Sequence, residues 1–330
     1  MIVDIDFVIP WVDGADPAHA AERRRWSREA HSSAVEETRF HDDGEIYYAI
    51  ASILAYAPFV RRIHLVTDAQ KPAYLDAFQE AGLCAPDFIR LVSHHTIFDG
   101  LDALRPTFNP RPIESAVWRI PGLSDQFVYA NDDMFLNAPS SPQAFFRSSR
   151  PVLYGTMSKL RSKQPRARLR AMLARPDKRP GHRRSQERAA ELLGLSEAYL
   201  FAEHHPHPLD RRRLERFHAE HPQVLSEQVR YRFRDAAQYN SVALSNNLEV
   251  IAGGTVVEPP PPLAYLRPGM RRGIDAFLAA IGEPSVPFGC VQSLDRFSST
   301  MRREIHEALS AKFAATLPAS IISFLLQDTR

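Results

Sequence analysis

Two cysteines, Cys84 and Cys290, are all that the 330 residues contain. That number excludes a disulfide-stapled scaffold and leads to the expectation of a reducing compartment. Nowhere does an apolar run approach the roughly 18 residues that a bilayer-spanning helix needs. The opening MIVDIDFVIPW carries acids where a signal peptide carries basic residues, so a soluble, cytoplasmic chain is expected. No internal repeat is found. What is present is globular: 44% hydrophobic and 24% charged residues argue against a wholly disordered chain. The length allows one large domain or two ordinary ones.

The formal net charge of +2 conceals an asymmetry. From Lys159 to Arg188 twelve Lys or Arg stand against Asp177 and Glu187, a local balance of +10 that leaves the rest of the chain at −8. Such a segment is either a solvated helical face or loop, or a platform for a polyanion or an anionic membrane surface. It has no aromatic residue for base stacking, so nucleic acid is not an expected partner.

Periodicity organises the first half. Ile2 to Ile9, with Asp4 and Asp6 alternating, reads as an edge-compatible or early strand that stops at Pro10 before the loop WVDGADP. Ile46, Ile50, Ile53, Leu54 and Ala57 fall at helical spacing, with Asp42 and Glu45 placed as a capping box and Pro58 ending the run. RRIHLV (61–66), FIRLV (88–92) and FVYA (127–130) read as strands, with a helix predicted over 72–81. Alternating strands and helices imply an α/β fold with a mostly parallel central sheet flanked by helices. Ligands of such sheets bind at strand carboxyl ends, so Asp13, Asp68, His94, His95 and the Asn131–Asp132–Asp133 triplet are expected on one rim. Further on, a helix is predicted over 185–201 and another after Leu209; 242–250 fits a helix or a strand. EPPPPL (258–263) reads as an extended connector, and the last 30 residues as helical through Ile305, Leu309, Phe313 and Leu317.

Three clusters carry the chemistry. Asp132 and Asp133 follow a strand and precede Met134, Phe135 and Leu136. Buried carboxylates need a partner, so the alternatives are turn capping or a hard divalent cation, magnesium or manganese, with substrate phosphates completing its shell. His204, His205, His207, Asp210 and Arg211 form the second: surface histidines, a poorly spaced zinc site, or a base titrating near neutrality. Arg230, Arg232 and Arg234 alternate with Val, Tyr and Phe, predicting three guanidiniums on one face of an extended segment, either a solvated edge or a phosphate clamp, with Asp235 capping the next helix.

Taken in order, IDFVIPWVDGADP, the block from EIYYAIASILAYAPFV to FVYANDDMFL, HHPHPLDRR with RFRDAAQYN, and FGCVQSLD resemble the Stealth family of sugar-1-phosphate transferases, over roughly residues 3–148 and 203–296. The resemblance implies a nucleotide-sugar-transferase-like fold. It implies transfer of a sugar-1-phosphate from a UDP-type nucleotide sugar to a hydroxyl of an oligosaccharide or polysaccharide acceptor. It also implies that Trp11, Val12, Asp13 and Gly14 form the nucleotide loop, that Asp132 and Asp133 hold the metal, and that Asn109, Glu114 and Asn131 line the site. His207 would be the general base and Arg232 would brace the phosphates. Three parts are expected: a nucleotide-sugar and metal-binding core (1–150), a basic helical insert (151–202) and a C-terminal part completing the active site (203–330). Where many members have Cys-Leu-Asn-Asp, this chain has Cys290, Val291, Gln292 and Ser293, leaving Asp295 as the substitute acid. An ordinary metal-dependent glycosyltransferase and a non-catalytic polyanion-binding protein are the competing readings.

Overall fold

The computed structural model describes residues 4–27, 36–101, 105–161, 181–270 and 273–327. Its centre is a five-stranded sheet built from β1 (Ile5–Pro10), β2 (Val60–Thr67), β3 (Ile89–Ser93), β4 (Gln126–Tyr129) and an antiparallel member from the second half, His207–Asp210. β1 runs parallel to both β2 and β4, and β2 runs parallel to β3. The mostly parallel α/β architecture expected from the alternation is therefore present.

β1 is central, not an edge. Its alternation sorts side chains to two cores: Ile5, Phe7 and Ile9 pack on one face of the sheet, and Val8 joins Phe127 and Tyr129 on the other. Asp6 is buried in this strand because Arg61 grips it at both oxygens (Nε–Oδ1 2.9 Å, Nη2–Oδ2 2.5 Å). His64 Nε2 at 3.1 Å and the Ser124 N–H at 2.9 Å complete its shell. An acid at alternate positions reads as edge-compatible only when such partners, 55 to 118 residues away, are out of sight.

A second sheet holds β5 (Met134–Leu136), which follows the acidic pair directly. β5 pairs antiparallel with Phe288–Val291, which in turn runs parallel to Leu263–Leu266. The 203–330 portion thus supplies strands to both sheets. Helix α1 spans Pro17–Trp26; α2 spans Glu45–Tyr56 and buries Ile46, Ile50 and Ile53, with Ser52 Oγ accepting from the Leu136 N–H at 3.0 Å. Helix α3 is Pro110–Ala116.

Several local expectations are corrected. Gly44, not Asp42, is the N-cap of α2; its φ of +85° and the 2.3 Å between a hypothetical Cβ and Leu325 Cδ2 leave no room for a side chain. Asp42 instead accepts from the Gly44 N–H at 3.2 Å, and Glu45 accepts from the Asp43 N–H at 2.8 Å. The helix predicted over 72–81 is a single turn, Ala77–Glu80. The one predicted over 185–201 is helix α4 (His182–Leu192) followed by a strand, Ala198–Phe201, which Thr156–Lys159 recruits by antiparallel pairing. The ambiguous 242–250 lies within helix α5 (Ser241–Ala252), capped by Asn240 and not by Asp235. The chain end is two helices, Ser299–Lys312 and Ala319–Gln327, broken around Pro318. Of the basic 159–188 segment, residues 162–180 lie outside the described residues. No helix among the described residues is long and apolar enough to cross a membrane.

Candidate active site

The carboxyl ends of four parallel strands open on one cavity of about 480 Å³. β1 delivers Trp11 and Val12, β2 delivers Asp68, β3 delivers His94, and β4 delivers Asn131, Asp132 and Asp133. The antiparallel strand starts on the same rim with His207, in register with Tyr129. Strand order therefore spaces these groups along the rim as His207, the acids, Trp11, Asp68, His94.

Asp132 and Asp133 are held by backbone on both sides. The Asp133 N–H donates to Asp132 Oδ1 at 3.1 Å, and the Asp133 carbonyl accepts from the Val291 N–H at 3.0 Å. Burial, with the Asp133 charge adding to it, pushes Asp132 up to about 7. Burial raises Asp133 to about 6, against the opposing hydrogen bond from the Cys290 thiol and the Arg234 charge. Asp133 Oδ1 has no hydrogen-bond partner. An orphaned carboxyl oxygen in a half-buried acid pair fits magnesium, which takes one or two carboxylates and leaves its remaining positions to water and substrate phosphates. Among the described residues no third His, Cys, Asp or Glu is grouped with them as a metal cage.

Two more acids join this end, and sequence reasoning assigned them to a cap. Asp42 is raised to about 7 by burial and by Asp132; Glu45, which lines the cavity, is raised by burial and then by Asp42 and Asp132. The signal was legible as DDGE, an acid-rich stretch opening an apolar helix, but a capping role explained it locally.

Opposite the acids stands a basic and polar wall. Glu114, on α3, is raised by burial, has an unpartnered Oε2, and faces Arg234 and Arg111. Asn109 caps α3 by accepting from the Arg111 N–H at 3.2 Å while its Nδ2 donates to Gln238 at 2.8 Å, which orients the helix that carries Glu114. Asn131 Oδ1 accepts from the Tyr129 hydroxyl at 3.0 Å.

Arg234, not Arg232, lines the cavity. Burial, with Arg39 and Arg111 nearby, lowers it to about 10. Arg232 stacks on Trp26 at 4.0 Å and donates to the Arg105 carbonyl at 3.3 Å. Residues 230–235 are irregular backbone, so the alternating strand face does not form, and Arg230 is exposed.

His207 is buried, not on the surface. Its basicity is lowered well below the usual imidazole range by burial first and by His205, His204 and His182 after that, so it does not titrate near neutrality. His205 is bonded to the Pro206 and Tyr154 carbonyls (2.9 and 3.2 Å), and His204 stacks on Tyr265. Asp210 and Arg211 lie elsewhere: Asp210 caps the helix Arg211–Glu220, and Arg211 pairs with Asp125 at 2.7 Å.

In the first loop, Trp11 and Val12 line the cavity while Asp13 and Gly14 shape it from behind. The Asp13 N–H donates to Gln70 Oε1 at 3.1 Å and its carboxylate accepts from the Ala15 N–H at 2.8 Å. Gly14 lies so close to Phe40 that a Cβ would sit 2.3 Å from its carbonyl oxygen. Asp295 lines the cavity and accepts from the Thr38 hydroxyl at 2.7 Å. His95 is exposed and outside the lining.

Residues 3–29 match Stealth protein conserved region 1 and residues 39–152 match conserved region 2. An exopolysaccharide phosphotransferase of Streptomyces coelicolor is 32% identical over 289 residues, 83% of this chain and 45% of the relative. A capsular polysaccharide phosphotransferase of Actinobacillus suis is 39% identical over 151 residues (44% and 38%), and a receptor polysaccharide phosphotransferase of Streptococcus oralis is 38% identical over 155 (46% and 44%). The chain spans less than half the length of each of these relatives. The apo form of mouse xyloside xylosyltransferase 1 aligns over 87% of this chain and 97% of its own with a TM-score of 0.40 at 11% identity, too low to carry an argument. The first conserved region supplies β1 with its loop and the second supplies everything from Arg39 through the acid pair to β5, and in these two regions the chain matches the Stealth family.

Proposed function

We propose that the chain transfers a sugar-1-phosphate from a nucleotide diphosphate sugar, of the UDP type, to a hydroxyl of an oligosaccharide or polysaccharide acceptor, forming a phosphodiester. The names of the relatives support phosphotransfer in polysaccharide synthesis. The observation that carries the reading is the meeting, in one cavity, of an acid pair with an orphaned oxygen, a buried neutral imidazole and a half-buried guanidinium.

In this reading the acceptor oxygen attacks the sugar-linked phosphorus, a new P–O bond forms, and the bond to the nucleoside monophosphate breaks. His207 takes the hydroxyl proton. Its neutrality keeps it free to accept one, and the developing positive charge is offset by the acids that follow the neighbouring strand β4. Arg234 lies where charge grows on the transferred phosphate and carries it through a planar fork. Glu114 and Asn109 hold that wall in place. Asp132 and Asp133 are the residues that would hold magnesium or manganese, which when bound supplies positive charge to the diphosphate oxygens. The same reading puts the chain in the cytoplasm, with peripheral contact to an anionic membrane or polymer through residues 159–188.

The test is the released nucleotide. Incubation with magnesium, UDP-sugars and oligosaccharide acceptors is expected to release UMP and to give a phosphodiester resonance by phosphorus NMR. Release of UDP would mean attack at the anomeric carbon and would overturn the assignment.

A further inference from the structure

Away from the acids, the cavity ends in a pair of side chains that none of these roles uses. His94 is 5% exposed, lines the cavity, and has no hydrogen-bond partner on either ring nitrogen. A ligand that bonds these nitrogens would relieve the cost of leaving them unpaired. Burial lowers it to about 4, with Asp68 opposing and His19, Arg105 and His95 reinforcing, so it is a neutral imidazole offering one donor and one acceptor. Asp68 Oδ1 lies 3.7 Å from its Nδ1, beyond hydrogen-bond length. His19 also lines this end, with a buried, unpartnered Nδ1 and its ring edge-on to Phe108 at 5.2 Å.

Position and charge then decide what fits. Asp68 follows β2 and His94 follows β3, whereas His207 sits on the far side of β4, three strand spacings (about 14 Å) from Asp68 and four (about 19 Å) from His94 along the rim. The Asp68 carboxylate repels phosphate, while Arg234 and Arg111 stand beside Glu114 and the Arg234 charge also acts on Asp133. A diphosphate ester laid along this rim keeps its phosphates with the metal-holding acids and guanidiniums. Its neutral, hydrogen-bonding half falls to the carboxylate and imidazole.

We infer that Asp68 and His94 bind the nucleoside of the donor, accepting from a base N–H or a ribose hydroxyl, so that the leaving nucleotide departs toward β2 and β3 while the acceptor enters beside His207. This rests on the nucleotide-donor reading above.

The experiment is calorimetry on the full chain with magnesium, using UDP, CDP, ADP, GDP and inorganic pyrophosphate. The wild type is expected to bind its preferred nucleoside diphosphate at least tenfold more tightly than pyrophosphate. Asp68→Asn and His94→Phe are each expected to weaken that nucleotide about tenfold and leave pyrophosphate affinity within about twofold, which also reports a folded site. The donor KM should rise by a similar factor in both. His207→Asn should do the reverse, abolishing turnover with unchanged nucleotide affinity. Loss of affinity for the 2′-deoxy nucleotide assigns the contact to ribose, and its retention assigns it to the base. Nucleotide affinity unchanged in both variants, or pyrophosphate binding as tightly as any nucleotide in the wild type, overturns the inference and leaves the proposed reaction standing. A wild type that binds pyrophosphate and every nucleotide too weakly to detect removes the donor reading as well.

Discussion

Asp133 carries a buried oxygen with no hydrogen-bond partner, beside Asp132 and within reach of the Cys290 thiol, so its substitution removes charge where a cation would need it. Asp133→Asn is expected to lower transfer by about 100-fold or more with the fold intact, checked by steady-state kinetics beside circular dichroism. The arginines give a sharper contrast. Arg234→Gln, at the cavity wall, is expected to cut kcat/KM by about 100-fold; Arg232→Gln, which loses only a stack on Trp26 and a carbonyl contact, should stay within about fivefold. Equal losses in the two variants would reject this division. At this scale the sequence made the acids legible, because two carboxylates between apolar runs have no cheap local explanation. It did not separate Arg232 from Arg234, since alternation presumes an extended strand and 230–235 adopts none.

Elements show how the site is held. β1 runs through the centre of the sheet with Asp6 at its core. Burial alone would raise this carboxyl, but the bonds from His64, Arg61 and the Ser124 N–H outweigh that and hold it well below the usual carboxylate range. A depressed folded-state value gives stability that is fully present above the unfolded value near 4 and is lost as pH falls from there. The melting temperature should therefore fall steeply below about pH 4, and Asp6→Asn should flatten that slope while costing about 3 kcal/mol at neutral pH in urea titration. Asn109→Ala is expected to cost about 1 kcal/mol through the lost cap of α3 and to reduce activity beyond that, since Glu114 rides on the helix. Helix and strand periods were readable where one face is buried, as in α2. They failed for Ala198–Phe201, whose identity comes from a partner strand about 40 residues earlier.

For the whole molecule, the loop that holds Asp132 and Asp133 is braced from the far end of the chain. β5 follows the pair and is covered by Phe288–Val291, whose Val291 N–H bonds the Asp133 carbonyl. Truncation before Phe288 is expected to abolish both transfer and a single cooperative melt, read by calorimetry. Added magnesium should raise the melting temperature of the wild type through binding to the folded state, with no such shift in Asp133→Asn. By itself the sequence determined the α/β alternation, the rim of strand ends and the acid pair, because short-range periodicity and the cost of burying charge act on neighbouring residues. Only tertiary structure decided that β1 is central, that Arg234 faces the cavity, that His207 is buried among imidazoles, and that Asp42 and Glu45 join the acids. Each of these depends on partners tens to hundreds of residues away, and their burial, not their spacing, sets their charge.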